Sequence, residues 1–335
     1  MHKNKFSRIL ITGATGVAGP AIVEKLIKRG YHVKIFSRHC LKHNEMPKQV
    51  DRFQGNILDP TAITLAMKNI DAVFHLAAKL HDTKHLTREE TYWQTNTTAT
   101  RLLVNAARAA GVKRFIFFST INVYGTSNRN HCFDESSPTS PNGIYSRSKL
   151  AAEKIVLDAG QHTPRFSVVI LRVAAVYGER MKGNYNLLIR YLKKGGFVLL
   201  GSGENRRTLI FDKDLATASL MALEHPDATG KIYNITDGAV HTFQDIVHAM
   251  CRALDRPSSF IKIPASFMHK LIELKQQHIR SRTLNLFLNA AEKQMESLAV
   301  SGEKCQRELN FTPKYDLNKG WRHVISGNGK ITPYP

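Results

Sequence analysis

Residues 8–28, RILITGATGVAGPAIVEKLIK, set the tightest limit on the fold. An apolar strand-like run ends in Gly13, Gly16 and Gly19 at GxxGxxG spacing, and a helical pattern begins at once. Glycine is needed for the tight turn and again where backbone approaches a bound pyrophosphate. The helix N-terminus then offers free N–H groups and a partial positive charge to an anion. Pro20 falls in the first turn of that helix, where its missing N–H costs little.

The same rhythm continues. HVKIFSR and VDRFQGNI read as strands, AITLAMKN as a helix and DAVFHLAA as a strand. TTATRLLVNAARAAG then precedes RFIFFST, and SKLAAEKIVLDAG precedes FSVVILRV. The strands are nearly continuous in apolar residues, as strands buried on both faces are. Strands alternating with helices predict an α/β chain with βαβ crossovers and a parallel sheet. After about residue 178 the rhythm changes. NLLIRYLKKG reads as a helix, FVLLGSGENRRTLIF as a hairpin-like stretch and DKDLATASLMALEHP as a helix. KIYNIT reads as a strand returning to the sheet. The expected division is 1–178 plus about 209–240 for the sheet domain, and about 179–208 plus 241–335 for a smaller, mostly helical lobe.

Composition narrows the class. At 335 residues the chain holds roughly two domains' worth of core. Cys40, Cys132, Cys251 and Cys305 lie far apart with no CxxC, against zinc or a disulfide scaffold and consistent with a reducing cytosol. No metal site is expected. No signal peptide and no membrane span are read, and SFMHKLIELKQQHIRSRTLNLFLNAAEKQMESL reads as a packed amphipathic helical region. The expected localisation is cytoplasmic. The net charge of +21 attracts anions. Its lysines and arginines are dispersed with no nucleic-acid motif, so nucleic acid is not expected as a partner.

The end of the second strand selects the nucleotide. An acid there would bond the ribose 2′-OH of NAD, and an arginine would suit the 2′-phosphate of NADP. The chain has Ser37 and Arg38, followed by His39, so NADP(H) is favoured over NAD(H) within an NAD(P) reading.

These residues, together with GNILD, HLAA, the asparagine of YWQTNTTATRLL, FFSTINVYG, YSRSK, LRVAAVYG and RTLIFDKDLA, resemble the extended short-chain dehydrogenase/reductase family over nearly the whole chain. That group includes NAD-dependent epimerases and dehydratases of nucleotide sugars and 4-ketoreductases. The resemblance implies a Rossmann-type doubly wound sheet with a substrate-binding lobe, and a homodimer through the TTATRLLVNAARAAG and YSRSKLAAEKIVLDAG helices. It places Gly13, Thr15, Gly16, Val17, Gly19, Ser37, Arg38, Asn56, Ile57, Ala77, Ala78 and Asn96 around the cofactor. It places Thr120, Tyr145 and Lys149 as the catalytic set, with Tyr145 and Lys149 also against the cofactor. Asn186 and Arg207, with Thr120, are placed at a nucleotide-sugar substrate. Ala175 stands where epimerases often carry a phosphate-contacting asparagine.

Spacing alone does not single out Tyr145 and Lys149, because Tyr315 and Lys319 repeat it. Only the first pair follows a strand ending in Ser/Thr. Four residues apart on a helix, its side chains share a face. A nearby ammonium, together with the positive nicotinamide ring of the oxidised cofactor, lowers the pKa of a phenol that is otherwise about 10, so Tyr145 is expected to exchange a proton with a hydroxyl or ketone. Tyr315 is read as a surface residue. Dehydration needs a further acid and base after the threonine, where the chain has Ile121 and Asn122. A 4-epimerase and a 4-ketoreductase remain. The alternatives are a 3β-hydroxysteroid-dehydrogenase-like hydroxyl/ketone oxidoreductase and a non-catalytic NADP-sensing protein.

Overall fold

The computed structural model describes residues 6–39, 49–80, 88–127, 131–181, 184–195, 197–258, 260–264, 266 and 296–327. Most of the long amphipathic stretch expected to be helical lies outside the described residues, as does Cys40.

Seven parallel strands form the central sheet in the order β11-β6-β5-β4-β1-β2-β3. They are β1 (Arg8–Thr12), β2 (His32–Ser37), β3 (Val50–Gln54), β4 (Ala72–His75), β5 (Arg114–Thr120), β6 (Ser167–Val173) and β11 (Ile232–Ile235). Side chains alternate across each strand. Ile9, Ile11, Ile116 and Phe118 therefore enter one core, which also holds α1 (Gly19–Lys28) and α7 (Asp212–Glu224). Leu10, Phe115 and Phe117 enter the opposite core with α2 (Pro60–Ala66), α4 (Ala99–Ala109) and α5 (Ile144–Gln161). Helices on both faces bury the central strands β1, β4, β5 and β6 twice over, which is why these read as nearly unbroken apolar runs, whereas the edge strand β3 stays partly exposed. This is the Rossmann-type doubly wound sheet that the sequence predicts. The apolar stripes of α4 and α5 are packed onto the sheet through Leu103, Val104, Ala107, Ala152 and Val156.

The order reverses between β1 and β4. Such a switch point leaves a crevice beyond the carboxyl ends of the strands. Register carries Thr12, His75, Phe117 and Ile170 side by side across four strands at that end.

A third core gathers β7 (Ala175–Tyr177), α6 (Asn184–Lys194), β8 (Val198–Leu200), β10 (Leu209–Phe211), α8 (Phe243–Ala253) and α10 (Leu317–Ser326). Here the hairpin expected in FVLLGSGENRRTLIF does not form. Its three short strands take distant partners. β8 pairs in parallel with β13 (Ile261–Ile263), β9 (Arg206–Arg207) antiparallel with β12 (His241–Thr242), and β10 in parallel with β7. Gly201 and Gly203 both have positive φ and turn the chain between β8 and β9 rather than folding it back on itself. Segment 297–300 stitches this lobe to the loop after β5. Ser127 N–H donates to the Ser297 carbonyl at 2.8 Å, and Arg206 N–H to Ser297 Oγ at 3.0 Å. Leu298, Val300 and α9 (Glu303–Leu309) pack into the sheet's first core.

Candidate active site

The glycine loop follows β1. Gly13 has φ +77, in the left-handed region, and a Cβ on it would lie 2.5 Å from the Ala77 nitrogen. A Cβ on Gly19 would lie 2.1 Å from the Ala14 carbonyl oxygen. Neither position admits a side chain. Gly16 N–H closes the turn onto the Gly13 carbonyl at 3.0 Å. Thr15 is exposed, and Val17 is half-buried against the third core, so the loop touches the lobe. Helix α1 has Pro20 in its first turn and no side-chain cap, which leaves its first N–H groups to an anion.

Ser37 and Arg38 end β2. Ser37 Oγ donates to the His39 carbonyl at 2.8 Å, and Arg38 is exposed. Gly55 N–H donates to the Ser37 carbonyl at 2.9 Å, which brings Asn56 and the buried Ile57 beside them. Asn56 Oδ1 accepts from Leu58 N–H at 3.0 Å. On the other side of the loop, Ala77 and Ala78 continue β4. Asn96, fully buried in a π-helical turn (Trp93–Thr98), holds the next residue by both backbone groups. Its Oδ1 accepts from Lys79 N–H at 2.7 Å and its Nδ2 donates to the Lys79 carbonyl at 3.1 Å. Single π turns often occur at functional sites.

Thr120 is the last residue of β5, and Tyr145 and Lys149 lie one turn apart at the start of α5. All three are buried. Tyr145 shares a side-chain hydrogen bond with Thr120, whose Oγ1 also accepts from Asn122 N–H at 3.2 Å. Burial pushes the Tyr145 phenol up to about 12, although the Thr120 hydrogen bond pulls the other way. In the protein without cofactor, desolvation of the phenolate is the largest influence on it. Burial also pulls the Lys149 ammonium down to about 7, against the attraction of Glu153. Lys149 Nζ is buried without a hydrogen-bond partner among the described residues and sits 3.9 Å from the Phe117 ring centroid. An orphaned buried donor is rare unless a ligand completes it.

A depressed lysine pKa has a consequence for stability. The unfolded chain binds that proton more readily, so stability is lost as pH falls from 10.5 to about 7. Lys149→Met is expected to raise stability near neutral pH by on the order of 2 kcal/mol. Its advantage should vanish toward pH 10.5. Thermal unfolding of both proteins across that window checks this, and parallel curves would contradict it.

Several residues that the sequence left unassigned surround the set. Glu153, one further turn along α5, accepts from Arg172 Nη2 at 2.8 Å and Nε at 3.1 Å, and from the Ser119 hydroxyl. Arg172 Nη1 donates to Tyr124 Oη at 2.9 Å, and Tyr124 Oη to Asn234 Oδ1 at 2.9 Å. Desolvation draws the Arg172 guanidinium down, but the bonds to Glu153 prevail and its pKa is raised. The spacing 145–149–153 along α5 was a usable signal for Glu153, because steps of four keep residues on one face.

Arg207 lies on β9, half-buried, with its positive charge felt by Tyr185 of α6. Asn186 is half-buried one residue further on. Ala175 lies on β7 opposite Leu209. Tyr315 is not a surface residue. Its ring packs 4.2 Å from Phe211, centroid to centroid, with Lys319 Nζ 5.1 Å from its own ring, because α10 closes over the third core.

The model of the NAD dependent epimerase/dehydratase family matches residues 9–236. The chain is 33% identical to the UDP-glucose 4-epimerase of Vibrio cholerae over 262 residues, covering 76% of this chain and 78% of that one. It is 34% identical over 244 residues to the dTDP-D-glucose 4,6-dehydratase of Mus musculus, covering 68% and 67%. The crystal structure of Thermotoga maritima UDP-glucose 4-epimerase with UDP-glucose superimposes with a TM-score of 0.77 at 21% identity, over 95% of this chain and 97% of that one. At that identity the superposition speaks for the fold alone. The chain belongs to the NAD dependent epimerase/dehydratase family. Among the described residues, no helix is long and apolar enough to cross a membrane.

Proposed function

We propose that the protein is an NAD(P)-dependent oxidoreductase that acts on a nucleotide-linked sugar at one carbon, as a 4-epimerase or 4-ketoreductase. The observation that carries this reading is the buried Thr120–Tyr145–Lys149 set at the carboxyl end of β5, beside a glycine loop too tight for side chains. The nicotinamide cofactor fits the residues present. Gly13, Gly16, Gly19 and the α1 N-terminus suit a pyrophosphate, and Lys149 Nζ, which has no hydrogen-bond partner among the described residues, suits ribose hydroxyls. When bound, the cofactor supplies the acceptor or donor of hydride.

The chain's own residues handle the proton. Thr120 Oγ1 orients the sugar oxygen at the reacting carbon. Tyr145 Oη takes the hydroxyl proton during oxidation and returns it during reduction. With the phenol near 12, forming a phenolate needs a cation at hand, and Lys149, one turn along the helix, supplies it in its protonated form together with the positive ring of the oxidised cofactor when bound. Ile121 is buried and apolar, and Asn122 does not titrate, so the residues after Thr120 offer no second acid and base for dehydration.

Ser37 and Arg38 favour NADP(H) in this reading. Arg38→Ala is expected to weaken NADP(H) binding about ten- to a hundredfold while NAD(H) binding changes little, since only the 2′-phosphate offers a charge-assisted contact. Calorimetric titration with both dinucleotides decides it, and equal losses would remove Arg38 from cofactor selection.

Arg207 is assigned to the substrate diphosphate, for which a planar guanidinium supplies paired donors. The test of the substrate class is stabilisation by UDP and UDP-glucose. Ligand at about a hundred times its Kd adds roughly 2.7 kcal/mol to stability. The parent should show this gain and Arg207→Ala should lose most of it. A parent that UDP does not stabilise would move the reading toward the hydroxysteroid-like alternative.

A further inference from the structure

His75 ends β4 and is fully buried, yet neither the proton transfer nor the hydride chemistry above uses it. For a neutral ring, its hydrogen bonds fix the tautomer by elimination. The Thr100 hydroxyl donates its one proton to the Asn96 backbone carbonyl at 2.6 Å. Thr100 Oγ1 can therefore only accept from His75 Nε2, 2.9 Å away, so Nε2 carries a hydrogen. On the other side, Thr12 Oγ1 already accepts from Ala77 N–H at 3.3 Å. Its own proton goes to His75 Nδ1 at 2.7 Å. The chain of donors runs Ala77 N–H to Thr12 to His75 Nδ1, and from His75 Nε2–H to Thr100 to the Asn96 carbonyl.

The two ends of this chain are the two halves of the site. Ala77 is the residue whose nitrogen a Gly13 Cβ would strike. Asn96 Nδ2 donates to Ser148 Oγ at 2.9 Å, and Ser148 Oγ donates to the Tyr145 carbonyl at 2.8 Å. Thr12, His75 and Thr100 are each 0% exposed, so no water competes for these bonds. The ring lies 5.7 Å from Phe117 and 6.1 Å from Phe115, centroid to centroid, with no acidic group bonded to it. Burial, and then the charge on Lys149, keep its pKa well below the usual histidine value, in keeping with a neutral ring.

We infer that His75 is a positioning residue: a neutral imidazole held in one tautomer, which couples the Gly13–Ala77 loop to the Asn96–Ser148–Tyr145 segment. The inference rests on the cofactor reading of that loop, but its first test does not.

Nitrogen NMR of full-length protein labelled at histidine, with the His75 resonance assigned by its loss in His75→Phe, should show a protonated Nε2 and an unprotonated Nδ1. The opposite tautomer, a mixture or a cation overturns the inference. The second test is a double-variant cycle read by dinucleotide affinity. His75→Phe keeps a ring but removes both bonds, and should weaken binding roughly tenfold. In a Thr12→Val background the same change should cost no more than about twofold, because the link to Ala77 is already cut. His75→Asn, whose amide oxygen can still accept from Thr12, should retain most of the affinity and serves if His75→Phe does not fold. Additive losses, or no rescue by Asn, overturn the coupling. A parent that binds neither NAD nor NADP refutes the cofactor reading instead, and the tautomer result then decides the relay alone.

Discussion

Tyr145→Phe should lower turnover by 10²–10⁴-fold, the range expected when a positioned acid/base is lost, while cofactor affinity and fold stay near those of the parent. The phenyl ring keeps the packing of a side chain that is only 8% exposed, while the Oη and its bond with Thr120 disappear. Loss of turnover should therefore come with little change in Tm. Rates on a substrate confirmed by UDP-sugar binding check this, with Tyr315→Phe as control, since that ring is packed against Phe211 outside the site. A variant retaining near-parental turnover would take Tyr145 out of the chemistry.

The second large effect is on stability. Glu153 and Arg172 form an ion pair at 2.8 Å whose side chains are 2% and 5% exposed. Removing one partner of such a pair leaves a buried charge uncompensated and costs about 3–5 kcal/mol. Glu153→Ala should lower Tm accordingly, by roughly 5 °C for a chain of this size. Arg172→Met combined with Glu153→Leu removes both charges and should recover most of that loss, since the apolar replacements no longer need partners. Thermal unfolding of the single and double variants measures both. If the double variant were as unstable as the single, the ion pair would not be the reason for the loss.

The sheet and glycine loop were legible because their signals are local. Apolar runs such as RFIFFST have one physical explanation, burial on both faces, and Gly13 announces a turn that admits no Cβ. Thr120, Tyr145 and Lys149 could be named because a strand end and a helix start bring them together. The lobe was not legible in the same way. β9 and β12 hold two residues each, too few to show any period, and their partnership joins positions 207 and 241. Tyr315 misled for a related reason, because its packing depends on Phe211, a residue about a hundred positions away. His75 was visible in HLAA, but its role depends on Thr12 and Thr100, which only the fold places on either side of it.

Strand β11 bears on how the chain is made. Its Ile232–Ile235 segment pairs with β6 and forms that border of the sheet, yet it follows β6 by about sixty residues, most of them spent on the lobe. During synthesis, therefore, Ser167–Val173 leaves the ribosome well before its outer neighbour. Until then its backbone donors and acceptors form a bare border of apolar residues, the kind of template on which nascent chains stick to one another. A message cut short between the codons for residues 178 and 231 would encode the Gly13 loop, Thr120, Tyr145 and Lys149 in full. Its product would still be exposed to coaggregation and proteolysis, because the strand that covers the β6 border had not been translated.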